Sequence, residues 1–322
     1  MNSPVMNDQR RADGVGLVLL CFAAIYLVWG STFLAIRYAV EELPPVLMAG
    51  ARFLVAGAVM CAVAKVRGAG RISGAAWASS VLVGSLLFGG NALLAWAETR
   101  VSSGLAALML ATIPLWMTGL GSLRRDAKPL SARQRAGFAL GFAGMVVLVG
   151  PGQLLGSRSV DPLAAVALVG AALSWSVGSL ISRDLPQPGD PVSAAGLPMV
   201  SGGVVLLVGS LLAGDGAAVL AHGVSTKAAL SWGYLVVMGS LVGFSAYSWL
   251  LRRVSPPLVS TYAFVNPVVA LAVGWAMVGE VLTGRGALAA VLIVGAVAMI
   301  IIPRRAPRTV LKAALSTAAD GA

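Results

Sequence analysis

The sequence predicts an all-α integral membrane protein with ten transmembrane helices, arranged as two inverted five-helix repeats. Three observations lead to this fold class. Hydrophobic residues make up 58% of the 322 positions and charged residues only 11%, whereas soluble domains contain about 25% charged residues. Apolar runs long enough to cross a bilayer recur along most of the chain. Basic residues cluster between those runs, and the two halves contain similar segments.

A helix needs about 20 mostly apolar residues to cross the hydrocarbon core. The sequence predicts such spans near residues 16–40, 45–65, 75–97, 101–122, 134–150, 162–182, 192–214, 229–251, 256–278 and 285–302. The first run is too long for the core of a signal peptide and lacks a clear cleavage site. The expected units are an N-terminal tail, two repeats and a basic C-terminal tail, over residues 1–15, 16–150, 162–302 and 303–322.

The distribution of lysine and arginine predicts the orientation of the chain. With ten spans, 17 basic residues lie in the two tails and the even-numbered loops, 5 lie in the odd-numbered loops, and Arg52 lies inside a span. The positive-inside rule then puts both termini in the cytoplasm of a cell whose inner, or plasma, membrane holds the chain. This topology also accounts for the net charge of +11, so no nucleic-acid partner is expected.

Two segments of the first half recur in the second half. The segment that starts at Trp96 aligns with the segment that starts at Trp249 at an offset of 153, with six identities in 19 positions. Upstream, Trp29 aligns with Trp175 at an offset of 146, and the same offset pairs Pro45 with Pro191. Because each half has an odd number of spans, the halves must lie upside down relative to each other. Inverted repeats are typical of secondary transporters, which bind their substrates near the membrane midplane.

A matched pair of prolines indicates where such a site would lie. Pro114 and Pro267 are equivalent by the repeat, and each lies near the middle of its predicted span. Proline removes a backbone donor and disturbs the carbonyl four residues earlier, so these groups need partners or a water-lined cavity. Asn266 adds an amide beside Pro267. The cavity is the favoured interpretation, and a pair of harmless kinks is the alternative.

Other polar and aromatic residues at similar depth complete the predicted substrate cavity: Trp29, Thr32, Asn91, Trp175 and Tyr262. Aromatic walls with a few polar groups suit an organic ligand. For Asn91 a hydrogen bond between helices is an equal alternative. Trp96 and Trp249 lie near the membrane interface, where tryptophan often anchors a helix.

Three charged residues are candidates for ligand binding or ion coupling. Arg52 lies about 10 Å below the start of its span, seven residues after Pro45. Its side chain could extend to the interface, pair with Glu98 or Glu280, or meet an anionic ligand. No Asp, Glu or His lies near a span centre, which weakens a proton relay through the middle of the membrane. Proton coupling would therefore need glutamates at the outer span ends, such as Glu98 and Glu280.

Motifs for enzymatic chemistry are absent from the sequence. It contains no Walker A motif, no G-x-S-x-G, no H-E-x-x-H and no C-x-x-C. Cys21 and Cys61 lie in apolar runs and match no metal spacing. The sequence therefore predicts neither an enzyme nor a cofactor or metal site.

Three motifs resemble a known family. They are "WGSTF" from Trp29, "PPVLMAGARF" from Pro44 and "NPVVA" from Asn266 followed by "GE" at 279–280. In this order they resemble EamA-type permeases of the drug/metabolite transporter superfamily, and within it the YedA-like inner-membrane exporters. The resemblance covers nearly the whole chain as two EamA units. It implies ten helices, a central cavity and export of amino acids, metabolites or drug-like compounds, and it adds weight to Asn266, Pro267 and Glu280.

These observations together predict a secondary transporter, favoured as an exporter, that works by alternating access. Its expected partners are a small organic solute and the lipid bilayer. Protons or a counter-solute are the alternatives for coupling, and a homodimer is one alternative for assembly. An uncoupled facilitator or exchanger is the rival transport mode, and an intramembrane enzyme is a more distant rival because no acid/base or metal cluster is found.

Overall fold

The computed structural model is entirely helical in the part of the chain that it describes, residues 4–101, 106, 109–123, 130–149, 161–278 and 284–301. Its helices are α1 (Pro4–Val40), α2 (Pro45–Val66), α3 (Gly74–Glu98), α4 (Ile113–Ser122), α5 (Ala132–Val149), α6 (Pro162–Ile181), α7 (Pro191–Leu212), α8 (Asp215–His222), α9 (Thr226–Tyr234), a π-helical segment (Leu235–Phe244), α10 (Ser245–Leu251), α11 (Pro256–Val259), α12 (Tyr262–Val278) and α13 (Gly284–Ile301).

Six helical stretches in the described part are long and apolar enough to cross a membrane: Gly16–Val40, Pro45–Val66, Gly74–Glu98, Pro162–Ile181, Pro191–Leu212 and Thr226–Leu251. The stretch Gly284–Ile300 is apolar but shorter. The prediction of an all-helical membrane protein is confirmed at this level. The six stretches coincide with six of the ten predicted spans, and the other four predicted spans are not among these six stretches.

Proline and short polar side chains determine where several helices begin. Pro45, Pro162 and Pro191 occupy the first turn of their helices, where a missing N–H is harmless. Asp161 accepts a hydrogen bond from the N–H of Leu163 at 2.9 Å and thereby caps α6. Such caps satisfy backbone donors that the first turn leaves without partners, so the local sequence defines the helix ends.

Glycine allows α2 and α7 to pack closely and antiparallel. A methyl group at Gly50 would lie 2.7 Å from the backbone nitrogen of Leu207, and one at Gly57 would lie 2.5 Å from that of Val200. As residue numbers rise along α2, the contacted numbers fall along α7, so the two helices run in opposite directions. Backbones can approach this closely only where side chains are missing.

The same antiparallel arrangement holds for α5 and α13. A methyl group at Gly137 would lie 2.8 Å from Ile300, and one at Gly144 would lie 2.9 Å from Ile293. By contrast, α1 and α12 run in the same direction, because Tyr26 contacts Thr261 and Gly30 approaches Val269.

Loop contacts define two ends of the helical bundle. At one end, Glu41 and Glu42 after α1 bind Lys227 at 2.9 Å and Ser225 at 2.6 Å. The hydrogen bonds from Ser225 lower the pKa of the Glu42 carboxyl. We call this end the α1–α2 face. At the opposite end, where α1 begins, Arg252 after α10 donates to the carbonyl of Pro191 at 3.4 Å. We call that end the N-terminal face.

A π-helical segment interrupts the stretch Thr226–Leu251. This stretch has 26 residues, whereas the equivalent helix α3 has 25. Ser73 and Ser225 cap the two helices in the same way, at an offset of 152, but Trp96 and Trp249 near their other ends are offset by 153. A wide π turn accommodates an extra residue in a helix. The segment Leu235–Phe244 thus absorbs one residue that α3 lacks.

The ninth predicted span does not break at its proline. Helix α12 continues through Pro267, and the interruption lies earlier, where Ser260 and Thr261 form a turn between α11 and α12. Pro267 lies early enough in α12 that only the carbonyl of Ala263 loses its intrahelical donor. Pro114 lies in the first turn of α4. The two prolines therefore occupy different positions relative to the helix breaks, in contrast to the symmetric interruption that the sequence suggested.

Candidate functional site

A cavity of about 830 Å³ lies between helices of both halves. Its wall comprises Trp29, Thr32, Phe33, Ile36, Arg52, Phe53, Phe88, Gly90, Asn91, Leu94, Leu110, Ile113, Ala171, Trp175, Gly239, Phe244, Tyr262, Ala263, Asn266 and Pro267. We call it the central cavity. Most of its wall is aliphatic or aromatic, as in pockets that bind small organic ligands.

The structure brings seven of the eight predicted cavity residues into this one wall: Trp29, Thr32, Asn91, Trp175, Tyr262, Asn266 and Pro267. Pro114 is buried next to the wall residue Ile113 but does not line the cavity itself. Leu110 and Ala263 lie four residues before Pro114 and Pro267, and both line the cavity. The carbonyl of Ala263, which Pro267 leaves without an intrahelical donor, thus belongs to a wall residue.

Among the described residues that line the central cavity, Arg52 is the only charged one. Only 4% of its surface is exposed. Its Nε donates to the hydroxyl of Ser240 at 2.8 Å, and its guanidinium lies 4.7 Å from the centre of the Phe53 ring. Its Nη1 is buried without a hydrogen-bond partner. A buried guanidinium is costly unless its donors are satisfied, so this nitrogen is available to an anionic group in the cavity.

Two asparagine oxygens in the wall also lack partners. Oδ1 of Asn91 and Oδ1 of Asn266 are both buried without a hydrogen bond, and Asn266 is only 6% exposed. Buried polar atoms are nearly always satisfied in native proteins. The two acceptors, together with the free donor of Arg52, can recognise a ligand that carries both donors and a negative charge.

An aromatic cluster forms the floor of the cavity. The ring of Trp29 contacts those of Trp175, Tyr247 and Tyr262, with centroid distances of 5.6, 5.2 and 4.7 Å. The indole N–H of Trp29 donates to the carbonyl of Gly239 at 2.9 Å. These contacts hold the rings in place, so a ligand meets a rigid aromatic surface.

The cavity extends from this floor toward the α1–α2 face. Along α1 its wall runs from Trp29 to Ile36, and along α3 it runs from Phe88 to Leu94; both helices proceed toward that face. On the other side of the floor, Tyr26 and Thr261 share a hydrogen bond of 2.7 Å. The described lining of the cavity therefore lies on the side of the floor that faces the α1–α2 face.

The glutamate candidates differ in what the structure describes. Both carboxylate oxygens of Glu98, at the end of α3, are buried without a hydrogen-bond partner, so Glu98 does not pair with Arg52. Glu280 lies outside the described residues. The guanidinium groups of Arg100 and Arg253 stack on Trp96 and Trp249 at 4.3 and 3.9 Å. These two tryptophans lie at helix ends, away from the cavity.

The wall also contains residues for which the sequence offered no signal. Phe53, Phe88 and Phe244 line the cavity, but phenylalanine in a transmembrane run is ordinary. Ser240, which orients Arg52, is one of many serines in the apolar runs. Within the described residues no group of His, Cys, Asp and Glu could hold a metal ion.

Comparisons with known proteins agree with this architecture. The EamA-like transporter family model matches residues 15–150 and 162–302. The inner membrane transporter YedA of Escherichia coli K12 is 36% identical over 86% of this chain and 88% of its own length. A probable amino-acid metabolite efflux pump of the same organism is 30% identical over 88% of this chain and 92% of its own.

A solved crystal structure also shares the fold. It superposes with a TM-score of 0.70 over 89% of this chain and 97% of the other chain, at 23% identity. The resemblance seen in the sequence motifs is thus confirmed, and membership in a transporter family agrees with the prediction that the protein is not an enzyme. The chain, which is a helical membrane protein, belongs to the EamA-like transporter family.

Proposed function

We propose that this protein exports a small organic solute across the inner membrane by alternating access between two inverted five-helix halves. The solute carries a carboxylate and an apolar or aromatic body. The unpartnered Nη1 of the buried Arg52 in the central cavity is the observation that carries this proposal. In the proposed topology ten helices span the membrane, and both termini and the N-terminal face lie in the cytoplasm.

The packing of equivalent helices supports inverted halves that cover residues 16–150 and 162–302. Helices α2 and α7 are equivalent by the offset of 146, which pairs Gly50 with Gly196 and Gly57 with Gly203. In the fold these two helices pack antiparallel through those glycines, since a methyl group at Gly57 would lie 2.7 Å from the carbonyl of Gly196, and one at Gly203 would lie 3.0 Å from that of Gly50. A pseudo-two-fold axis in the membrane plane generates this arrangement.

The chemistry of the cavity wall supports the proposed class of solute. Arg52 offers a donor to a carboxylate, and Asn91 and Asn266 offer acceptors to an ammonium or another donor. The rings of Trp29 and Tyr262 offer a surface to an apolar side chain. An α-amino acid with an apolar or aromatic side chain combines these three features, and one relative is named an amino-acid metabolite efflux pump.

Exchange is the second candidate mode, and one observation favours it while another favours proton coupling. No carboxylate lines the central cavity within the described residues, so a proton would have to bind elsewhere. Glu98 has a buried and unpartnered carboxylate on the same face of α3 as Asn91, two turns nearer the α1–α2 face. If Glu98 binds the proton, transport is coupled; otherwise the protein exchanges one solute for another.

Counterflow in proteoliposomes tests the proposal. Vesicles that contain the purified protein are loaded with one amino acid at a time and diluted into a trace of the same labelled compound, with and without a pH gradient. We expect labelled apolar or aromatic amino acids to accumulate, and dyes without a carboxylate to be excluded. A wild-type protein that moves carboxylate-free dyes as fast as amino acids would refute the proposed class of solute.

A further inference from the structure

A second cavity of about 430 Å³ lies near the N-terminal face between α3, α6, α7 and α10. Its deep end is formed by Val83, Leu87, Phe244 and Tyr247. Arg183, Gln187 and Arg252 line it where α6 and α10 end. We call it the vestibule. It has an apolar, aromatic base and a basic rim.

The vestibule and the central cavity are separated by a single layer of aromatic side chains. Phe244 lines both cavities. Tyr247 lines the vestibule, and its ring lies 5.2 Å from that of Trp29 and 5.9 Å from that of Tyr262, which belong to the central wall. A hydrogen bond of 2.5 Å joins the hydroxyl groups of Tyr247 and Ser179. The partition is therefore thin and is fastened by one specific contact.

The repeat relates the vestibule to the outer part of the central cavity. Three residues of the central wall have repeat equivalents that line the vestibule. The offset of 146 pairs Arg52 with Pro198. The offset of 153 pairs Asn91 with Phe244 and Leu94 with Tyr247. In an inverted repeat, the access path on one side is built from the equivalents of the path on the other side. The vestibule thus occupies the position of the alternate access path.

A buried carbonyl adds a polar spot to the vestibule. Pro198 lies inside α7, so the carbonyl of Ala194, four residues earlier, loses its helical donor. Both residues line the vestibule. In the central cavity, Pro267 and Ala263 have the same relation and are both part of the wall. Each space thus combines a proline-freed carbonyl with an aromatic surface.

We infer that the vestibule is a binding site through which the transported solute reaches the central cavity from the N-terminal face, and that Phe244 and Tyr247 are its gate. This inference rests on the proposed transport by alternating access. The rim, with Arg183 and Arg252, takes the carboxylate of the solute, and the apolar base takes its body. When the contact between Tyr247 and Ser179 opens, the vestibule and the central cavity join. New contacts near Leu94 then close the central cavity toward the α1–α2 face.

Cysteine labelling tests this path without any transported solute, so its result is independent of whether counterflow detects a cargo. The background carries Cys21→Ala and Cys61→Ala. In it, Ser248→Cys reports on the vestibule, and Val81→Cys, on the exposed side of α3, is the control. Charged, membrane-impermeant methanethiosulfonates are added to right-side-out or inside-out vesicles. We expect Ser248→Cys to react only from the N-terminal face and Val81→Cys to stay inert; an unreactive Ser248→Cys overturns the inference.

The gate is tested with a reporter in the central cavity. Thr32→Cys is expected to react from the α1–α2 face and to resist reagent added at the N-terminal face. Tyr247→Ala should make it reactive from the N-terminal face as well. Ser179→Ala keeps the ring and removes one buried hydrogen bond, so it should speed that reaction by about two- to tenfold. If the rate from the N-terminal face is unchanged in either folded variant, Tyr247 is not the gate.

The charge preference of the vestibule is tested with the same reporter. The ratio of rates for the anionic sulfonatoethyl and the cationic trimethylammonium-ethyl reagents at Ser248→Cys is compared with the ratio for free mercaptoethanol. We expect a higher ratio in the vestibule, and a fall of about tenfold for Arg183→Ala or Arg252→Ala, because a unit charge about 6 Å away in water changes the two rates by about threefold each in opposite directions. Arg67→Ala, also at the N-terminal face, is the control. Equal ratios in all proteins would rule out a site for carboxylates.

Discussion

Replacing Arg52 by methionine tests how the central cavity recognises its solute. Arg52 is 4% exposed as a whole residue, its Nε donates a hydrogen bond to Ser240, and its Nη1 is without a partner. Methionine keeps most of the length of the side chain and removes the charge. If Arg52 serves the solute, the substitution should weaken binding without weakening the fold.

The size of the effect follows from these contacts. A hydrogen bond to a charged group contributes about 1.5–3 kcal/mol, so loss of the bond from Nη1 to a carboxylate should weaken apparent affinity by about 10- to 150-fold. A buried charge without a carboxylate partner is itself destabilising. The midpoint of thermal unfolding should therefore stay the same or rise, because the variant loses only the bond to Ser240 and the contact with the Phe53 ring.

The assay combines counterflow with thermal unfolding of the purified protein, followed by tryptophan fluorescence in detergent. Arg52→Lys keeps the charge and should retain part of the affinity. Lys65→Met removes an exposed charge from the same helix and should leave affinity unchanged. Full affinity in a folded Arg52→Met protein would refute the role in binding, and a fall in the unfolding midpoint with unchanged affinity would make the arginine a structural residue. If Arg52→Met does not insert, Ser240→Ala should still lower affinity by removing the bond that orients the guanidinium.

Three other perturbations have defined outcomes. Asn266→Leu should reduce transport per inserted molecule, because it removes a buried cavity acceptor; unchanged uptake would make the residue a packing element. Glu98→Gln should abolish stimulation by a pH gradient and preserve counterflow, and persistent stimulation would exclude it as the coupling group. Gly57→Ala should lower stability by about 1–3 kcal/mol, since the new methyl would lie 2.5 Å from the backbone of Val200, whereas Gly89→Ala, with open space around it, should have no such effect in the same thermal assay.

The cavity residues were predicted from their positions along the spans. Trp29, Asn91, Trp175 and Asn266 were chosen because they lie near the middle of their spans, and all four line the central cavity. Depth follows directly from residue number, since a helix rises 1.5 Å per residue. The prediction failed where backbone geometry mattered: the break in the ninth span lies at residues 260–261 and not at Pro267.

The sequence alone therefore determined that the chain is a helical membrane protein and to which family it belongs. Only the tertiary structure decided which side chains meet, such as Arg52 with Ser240 and Tyr247 with Ser179. The physical reason is the solvent. Lipid is as apolar as the protein interior, so hydrophobic periodicity does not reveal which side of a membrane helix faces its neighbours. The rotation of each helix about its own axis is decided by glycine contacts and by polar groups that find partners only after packing.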